Sequence, residues 1–365
     1  MKVLLVGFKL SVGIEPYLNI IAKNLQAKRI EIKLCIEKKV ADKCKDGYGI
    51  GLGGNSVQML KDTLNVLNYF NYAKLLIHEK PTVVFFVSSH PLNSIAILIT
   101  RIFGSRATIV SQIHDPLPHS GTSYGIFILI SQILQCWISD KIIVAGKKLK
   151  ENIKKYYLCS ENKIHVMPLG TFREERSNSE EHTEEKIYIP TLGRIEDYKG
   201  IDVFLKSAGI ILRMMKDKGI NYKFLIAGSG DLQKYSNLIE KIPQEYLEIK
   251  NYIISDEEFD DILKKSYVCV LPYKDGTQSG TTAISYYNAC PVIVSNVGSL
   301  PECVQSGETG YVVEPNNPEQ LAEKITLLLE NNNLQRKLAN QSYSYYKENF
   351  RWSNITNTLV SVFKE

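Results

Sequence analysis

The chain alternates between short apolar runs and longer helical patterns along most of its length. The apolar runs are rich in β-branched residues, which is typical of buried strands. In the first half the predicted strands are Val3–Gly7, Glu31–Ile36, Thr82–Val87, Thr108–Gln112, Lys141–Val144 and Lys163–Met167. Helical patterns lie between most of them, for example over 15–27, 56–78 and 147–156. This alternation predicts a parallel sheet that is covered by helices on both faces.

The alternation stops at Gly170–Glu185 and then resumes. This segment is charged and has no apolar period, which predicts a linker over 171–185. Beyond it the predicted strands are Ile187–Leu192, Tyr222–Ala227, Ile249–Ile254, Val268–Leu271, Val292–Ser295 and Gly310–Val313. The fold class is therefore α/β, with two Rossmann-like domains, 1–170 and 186–345, that face each other across a cleft lined by strand-end loops. The tail, Leu334–Glu365, has a helical pattern.

Composition narrows the class of protein. The net charge of +5 fits anionic small molecules or an anionic membrane surface, and it is too weak to indicate nucleic acid. The seven cysteines have no paired spacing, which predicts reduced thiols in a cytoplasmic protein rather than disulfides or a zinc site. The apolar run after Lys2 is too short for a signal peptide. Polar residues interrupt 125–144, which predicts a helix followed by a strand instead of a membrane span.

The first half offers two candidate ligand-binding loops. A strand ends at Gly7 and a helix begins near Pro16, and Gly13 between them lets a ligand approach the positive end of that helix. An ordinary tight turn between a strand and a helix explains the same residues. His114 and Asp115 follow another predicted strand, where a polar pair is positioned for a ligand. The alternative is a polar pair that fixes a proline-rich loop.

The second half carries more specific candidates. Arg194 and Lys199 follow the strand end at Gly193, in a loop that leads into a helix. Two cations at such a junction can hold a diphosphate, Arg as a planar fork and Lys as a point charge. A solvated basic loop is the alternative. The segment "FLIAGSGDL" places Gly230 in a glycine-rich turn after another strand, where a structural turn is a strong alternative.

The segment "DGTQSGTT" lies between a strand and a helix. Ser279, Gly280, Thr281 and Thr282 offer backbone N–H groups and hydroxyls at the start of that helix. Such a helix start binds anions, because its first N–H groups have no partner within the helix. Helix capping alone explains one serine or threonine here, but it does not require the whole run. We therefore predict a phosphate site.

These motifs, in this order, resemble those of the retaining glycosyltransferases of family 4, also called glycosyl transferases group 1, which have the GT-B fold. The resemblance is strongest over 187–330, through "GRIEDYKGIDVFLKSA", "FLIAGSGDL", "QSGTTAISYYNACPVIVSNVGSLPE" and "GETGYVVEPNNPEQLAEKI". The first half is similar more loosely. The tail resembles the closing helix of the family, which crosses back onto the N-terminal domain, here at about 346–365.

The resemblance implies transfer of a sugar from a nucleotide sugar, with retained anomeric configuration and without a cofactor or metal. It assigns catalytic roles to Arg194, Lys199 and His114, and a weaker acceptor-binding role to Asp115. The donor-binding residues that it implies are Gly13, Gly193, Gly230, Ile254, Asp275, Gln278, Ser279, Gly280, Thr281 and Thr282. The expected partners are a nucleotide-sugar donor, a glycan or lipid-linked acceptor, and the inner face of the plasma membrane, with no nucleic acid.

One departure from the family concerns its Glu-x7-Glu motif. The two positions are Gly276 and Ile284 in this chain, so both glutamates are absent. Asp275 is adjacent to the first position, whereas the side chain of Ile284 cannot bond a ribose hydroxyl. Two alternatives therefore stay open. One is a non-catalytic subunit with the same fold, and the other is a nucleotide-sugar 2-epimerase.

Overall fold

Parallel strands separated by helices build the whole chain, as the alternating sequence pattern predicts. The computed structural model describes the chain except for residues 9–13, 38–40, 42–46, 51–60, 62–63, 89, 91, 105, 115–124, 172, 174–183, 216–217, 220 and 277. The described chain divides into two units, Met1–Pro168 with Trp352–Glu365, and Leu169–Arg351. Each unit has its own parallel sheet and its own apolar cores.

The first unit contains a seven-stranded parallel sheet in the order β3-β2-β1-β4-β5-β6-β7. Its strands are β1 (Lys2–Gly7), β2 (Glu31–Glu37), β3 (Gly47–Ile50), β4 (Val83–Phe86), β5 (Thr108–Gln112), β6 (Lys141–Val144) and β7 (Ile164–Val166). Its helices are α1 (Ile14–Ala27), α2 (Val66–Glu79), α3 (Leu92–Phe103), α4 (Gly125–Ile138) and α5 (Lys147–Tyr157). The central strands are continuous apolar runs because helices cover both faces of the sheet.

The helices of the first unit form two layers. From β1 the chain moves to β2, and from β4 it moves in the opposite direction to β5, β6 and β7. Because crossovers between parallel strands are right-handed, α1 lies on one face and α3, α4 and α5 lie on the other. Neighbouring helices pack against each other, α2 on α3 and α3 on α4.

The second unit contains two three-stranded parallel sheets, in the orders β10-β9-β8 and β11-β12-β13. The strands are β8 (Tyr188–Leu192), β9 (Lys223–Ala227), β10 (Leu247–Lys250), β11 (Cys269–Leu271), β12 (Val292–Ser295) and β13 (Gly310–Val313). The helices are α6 (Ile201–Met215), α7 (Ser236–Ile239), α8 (Asp256–Lys264), α9 (Gly280–Tyr287), α10 (Pro318–Glu330) and α11 (Asn332–Asn349). A bridge between Tyr188 and Ser266 places β11 beside β8, so the two sheets continue each other.

The last helix, α12 (Trp352–Lys364), belongs to the first unit and packs against α1. The ring of Trp352 lies 5.6 Å from that of Tyr17, and the ring of Phe363 lies 5.6 Å from that of Phe85. The tail of the chain is therefore helical, and it returns to the first sheet. Among the described helices, none is both long and apolar enough to cross a membrane.

Two sequence predictions need correction. Strand β3 was not predicted, because "GYGI" is short and has two glycines. Strand β10 ends at Lys250 instead of Ile254, and Ile253 behind it is 78% exposed. Helix α2 begins at Val66, inside the predicted helical pattern over 56–78, of which 56–60 and 62–63 lie outside the described residues. Asn65 caps it by accepting a hydrogen bond from Leu67 N.

The predicted linker over 171–185 is not solvated throughout. Arg173 is buried, and its Nε donates to both carboxylate oxygens of Asp260, at 3.0 and 2.9 Å. Its Nη1 lies 2.8 Å from Asp256 Oδ1, and Asn288 also donates to Asp260. The charge of Arg173 suggested solvent exposure, but paired carboxylates allow a guanidinium to be buried.

Candidate anion site in the second unit

The loops that follow β8, β9 and β10 lie side by side. Gly193 N donates to Ala227 O at 3.0 Å, and Ile195 N donates to Ser229 O at 2.9 Å. Gly230 exchanges two hydrogen bonds with the side chain of Asn251, at 3.1 and 3.0 Å. Gly193 and Gly230 are thereby held at neighbouring strand ends, which is the edge where parallel α/β sheets bind their ligands.

The loop that carries Lys199 is pressed against the chain that follows β11. Gly200 ends a short 3-10 turn, Asp197–Lys199, with φ of 71°. A Cβ atom on Gly200 would lie 1.9 Å from the carbonyl oxygen of Pro272. Only glycine allows both this backbone conformation and this approach. The contact fixes the position of Lys199 next to Tyr273.

Lys199 is a partly buried cation with aromatic neighbours. Its Nζ donates to Tyr273 Oη at 2.5 Å and lies 4.1 Å from the centre of the Tyr273 ring. The Tyr198 ring is also close, with its centre 5.2 Å from the same nitrogen. Burial lowers the pKa of Lys199, since removal from water disfavours its charged form. Within the described part of the chain, no carboxylate forms an ion pair with Lys199. The ammonium group is therefore ready for an anionic ligand.

The helix start at Ser279 is tied to this cation through Tyr273. Ser279 caps α9 by accepting a hydrogen bond from Thr281 N at 3.3 Å, and its Oγ lies 3.0 Å from Tyr273 Oη. Burial raises the pKa of the Tyr273 hydroxyl, which stays neutral. The Thr282 hydroxyl is buried, and no described residue forms a hydrogen bond with it. A cation and a positive helix end thus converge, which is the arrangement that binds phosphates.

The other predicted residues of the second unit differ in exposure. Gln278, Gly280 and Thr281 are partly exposed at the start of α9, as is Ile254 before α8. Asp275 is exposed and accepts a hydrogen bond from Gly276 N at 2.7 Å. Ile284, at the second position of the missing glutamate pair, is buried in the core of the unit. Its side chain stabilises the fold at this position.

Arg194 has different surroundings from Lys199. Its side chain is 75% exposed, and its Nη1 lies 3.0 Å from Glu196 Oε1. An exposed ion pair of this kind contributes little to stability, so the guanidinium can leave Glu196 for a stronger anion at low cost. Within the described contacts, Arg194 is not part of the Lys199, Tyr273 and Ser279 group.

His114 belongs to the first unit. Its Nε2 lies 2.9 Å from the carbonyl oxygen of Val87, which can only accept, so Nε2 carries a proton. Its ring packs edge-on against Tyr17 at 6.0 Å, and Tyr17 is fixed by hydrogen bonds with Gln112. These contacts hold the imidazole just beyond β5. Gly13 and Asp115 lie outside the described residues.

Sequence reasoning missed two residues of the site, Tyr273 and Asn251. A tyrosine that follows a buried strand needs a partner for its hydroxyl, and this signal was present in "VCVLPYKDG". Its partners could not be identified from local sequence. Lys199 is distant in the chain, and Ser279 lies on the other side of a turn. The strand before Asn251 was predicted to continue to Ile254. Asn251 was therefore assigned to the strand, and its role in the loop was not predicted.

Two family models match the chain, and together they span residues 12–345. Glycosyltransferase Family 4 matches residues 12–174, and Glycosyl transferases group 1 matches residues 172–345. The chain therefore belongs to glycosyltransferase family 4, and its fold is the GT-B fold that the sequence predicts.

The relatives have modest sequence identity. An uncharacterized glycosyltransferase of Methanocaldococcus jannaschii is 25% identical over 64% of this chain and 62% of its own length. A capsular polysaccharide biosynthesis glycosyltransferase, CapM of Staphylococcus aureus, is 26% identical over 79% of this chain and 78% of its own length. The matches to three M. jannaschii relatives span only 58 to 62% of those proteins.

Among solved structures, HepE of Anabaena in complex with UDP has the same fold. Its TM-score is 0.75 at 12% identity, and the match covers 100% of each chain. At this identity the likeness concerns the fold alone.

Proposed function

We propose that the protein is a retaining glycosyltransferase that moves a sugar from a nucleotide sugar to a glycan or lipid-linked glycan. The observation that carries the proposal is Lys199, a partly buried cation with no carboxylate partner in the described chain, next to the helix start at Ser279. The diphosphate of a nucleotide sugar has the complementary charge. Family membership supports the same reaction.

The proposed reaction proceeds on one face of the sugar. The bond between the anomeric carbon and the diphosphate breaks, and a bond from the acceptor oxygen forms on the same face. The acceptor proton passes to the departing phosphate. Lys199 and the α9 helix start stabilise the negative charge that develops on this phosphate, and Arg194 joins them after it leaves Glu196. The catalytic role that the family resemblance assigns to His114 stays a prediction.

We propose that no metal is required, because two cationic side chains and a helix N-terminus supply the positive charge. Chelation with EDTA should therefore leave the reaction rate unchanged. Restoration of activity by Mg²⁺ after chelation would contradict this part of the proposal.

The proposed setting is the synthesis of a bacterial surface polysaccharide on the cytoplasmic side of the membrane. The similarity to a capsular polysaccharide biosynthesis glycosyltransferase supports this setting. The free, mostly buried cysteines of the described chain fit a reducing compartment.

A thermal-shift screen followed by product analysis tests the proposal. UDP, GDP, dTDP, CMP and their common sugars are screened first, with UDP at the start because a protein of the same fold binds it. A ligand at a hundred times its dissociation constant stabilises the folded state by about 2.7 kcal/mol. The bound nucleotide sugar is then incubated with the protein, and the free nucleoside diphosphate and the sugar configuration are measured.

Water replaces the acceptor in this assay and is a poor one. We therefore expect slow release of the nucleoside diphosphate, together with a sugar of retained configuration. Lys199→Met should lower this release at least about a hundredfold, as does loss of a charge-stabilising donor. Formation of an epimeric nucleotide sugar without release would favour the epimerase alternative. The absence of any thermal shift would favour a non-catalytic subunit.

A further inference from the structure

Helix α3 of the first unit is apolar on its solvent side as well as on its core side. Ile95, Leu98 and Ile102 lie on one stripe of the helix, and all three are exposed. Ile97 is buried in the apolar core, and the polar residues Asn93 and Thr100 are buried as well. A helix on the surface of a water-soluble protein normally has a polar outer side.

Helix α4, which packs beside α3, also has an apolar outer side. Ile130, Leu134 and Trp137 are exposed at helical spacing, and Trp137 is 56% exposed. Ile133 packs against the apolar core, and the polar residues Ser131 and Gln135 are buried. The whole helix contains no charged residue. Two adjacent helices thus both turn apolar side chains toward solvent.

Hydrogen bonds between the helices satisfy the buried polar groups. Ser94 Oγ lies 2.8 Å from Ser131 Oγ, and Asn93 Nδ2 donates to Gln135 Oε1 at 3.1 Å. Gln135 Nε2 also donates to Ser131 Oγ at 3.1 Å. These contacts fix the orientation that turns the apolar stripes toward solvent, because rotation of either helix would leave buried polar groups without partners.

The apolar face, as we define it, consists of exposed side chains of α2, α3 and α4. Its members are Val66, Leu67, Phe70, Ile95, Leu98, Ile102, Phe103, Ile130, Leu134 and Trp137. Scattered exposed apolar residues are normal, but contiguous patches of this kind indicate an interaction site.

The charges around the apolar face are mostly cationic, and Asp140, just beyond α4, is paired with Arg101 of α3. Helices α3 and α4 contain no acidic residue, and Glu79, the one acidic residue of α2, is buried against Lys2. Lys74, Lys80 and Arg106 are exposed. Two surfaces of this kind from two copies of the chain would repel each other, whereas an anionic partner is attracted.

The edge of the face at the end of α5 combines aromatic and basic side chains. Trp137 Nε1 donates to Tyr157 O at 2.7 Å, which ties α4 to this end of α5. Lys154, Lys155 and Tyr156 are exposed there. Lys154 forms an exposed ion pair with Glu161, and such a pair can be exchanged for a phosphate headgroup at low cost. Tryptophan, tyrosine and lysine are the residues that anchor proteins at the boundary between lipid tails and headgroups.

We propose that the apolar face of α2, α3 and α4 lies in the surface of an anionic lipid bilayer, with Lys154 and Lys155 on the phosphate headgroups. The aliphatic and aromatic side chains enter the boundary of the acyl chains, and the helices lie in the plane of the membrane. This inference specifies the membrane contact of the proposed function. It needs no donor nucleotide, so its failure would leave the transfer reaction untouched.

Sedimentation of the full chain with vesicles tests the inference. One set of vesicles contains phosphatidylglycerol and phosphatidylethanolamine, and the other contains phosphatidylcholine alone. We expect binding to the anionic vesicles, weaker binding to the neutral ones, and a decrease at high salt. Ile102→Ser combined with Trp137→Ser should lower the partition coefficient at least about tenfold, since two apolar side chains no longer enter the lipid.

Ile253→Ser in the second unit is the matched control. Ile253 is 78% exposed and Ile102 is 69% exposed, so both changes remove the same side chain from water. The control should bind vesicles like the unchanged chain, and both variants should keep its melting temperature. Lys154→Gln with Lys155→Gln should weaken binding to anionic vesicles only.

Three results would overturn the inference. The unchanged chain could fail to sediment with either vesicle, or the double serine variant could bind as well as the unchanged chain. The third result would come from analytical ultracentrifugation without lipid. The unchanged chain would be a dimer, and the double serine variant would be a monomer. In that case the apolar face would join two copies of the chain.

Discussion

Helices α6 and α3 cover sheets of the same kind in the two units, but their outer sides differ. Helix α6 buries Phe204 and Ile211 and exposes Lys206 and Arg213. Helix α3 exposes Ile102 and its apolar neighbours, although its core side is apolar too. The same kind of helix-covered sheet therefore has a polar outer surface in one unit and an apolar outer surface in the other.

This difference between the units shows how each one departs from ordinary packing. The first unit leaves apolar groups in contact with water, and the second holds a partly buried cation that forms no ion pair with a carboxylate among the described residues. Both departures cost stability in the isolated protein. The ligands that we propose, lipid for the first unit and a diphosphate for the second, have the chemistry that would remove these costs.

Of the substitutions that distinguish the two units, Arg173→Ala should have the largest effect on stability. Arg173→Ala leaves Asp260 buried without its main partner, which should lower the free energy of unfolding by about 3 to 5 kcal/mol. The loss should appear in hydrogen exchange of the second unit and not in that of the first. Arg336→Ala, an exposed arginine of α11, is the control and should change stability by less than about 0.5 kcal/mol. Equal effects of the two substitutions would refute the structural role of Arg173.

Gly200→Ala should have the next largest effect. The new Cβ atom would meet the carbonyl oxygen of Pro272, and the backbone conformation is unfavourable for alanine, so we expect a loss of about 2 to 3 kcal/mol. Gly219 has a similar φ of 63°, but a Cβ atom there would have no neighbouring atom within 4 Å, so Gly219→Ala isolates the backbone strain. Chemical denaturation measures both. A loss no greater than that of Gly219→Ala would show that the contact with Pro272 is not tight.

Ser131→Ala tests the polar contacts between α3 and α4. It removes the hydroxyl that Ser94 and Gln135 contact, and the buried Gln135 Nε2 should lose its acceptor at a cost of about 1 to 2 kcal/mol. The control is Ser207→Ala in α6, where the buried hydroxyl donates to Phe204 O of its own helix. That substitution should change the free energy of unfolding by less than about 0.5 kcal/mol, because alanine favours the helix. Similar losses at both serines would remove the distinction between the two helices.

The pH dependence of ligand binding should reflect Lys199. Burial lowers the pKa of Lys199 below 10.5. Between the lowered pKa and 10.5, the unfolded state therefore binds more protons than the folded state. In this window the stability that Lys199 contributes rises with pH. A bound diphosphate favours the charged form, so affinity for the nucleotide should fall as pH rises through the lowered pKa, by at most about tenfold per pH unit. Titrations at several alkaline pH values measure this slope. The slope should be absent in Lys199→Met, and an unchanged slope in that variant would assign the effect to another group.

Much of the fold was predictable because strand periodicity is local. Strands β5, β6, β12 and β13 have the predicted bounds, since each is a short apolar run between polar or small residues. The end of β10 was predicted wrongly, because Ile253 continues an apolar run that the chain leaves exposed. The apolar outer sides of α3 and α4 could not be predicted either. Periodicity shows that a helix has an apolar side, but it does not show which medium that side faces.

The candidate site was predictable in part, for the same reason. The helix start at Ser279 and the cation at Lys199 were evident from local sequence. Their connection through Tyr273 depends on the approach of Gly200 to Pro272, a contact between distant parts of the chain. The burial of Arg173 likewise depends on its distant partner Asp260. Interactions of this range are set by the tertiary fold and not by local pattern.

The central claim is that Lys199 and the α9 helix start bind the diphosphate of the donor, and calorimetric titration tests it most directly. The nucleoside diphosphate that the thermal-shift screen identifies is titrated into the unchanged chain, Lys199→Met and the control Lys206→Met, an exposed lysine of α6. We predict that Lys199→Met weakens binding about ten- to a hundredfold, since a charge-assisted hydrogen bond is lost, and that Lys206→Met has no effect. Equal affinity of Lys199→Met and the unchanged chain would contradict the account.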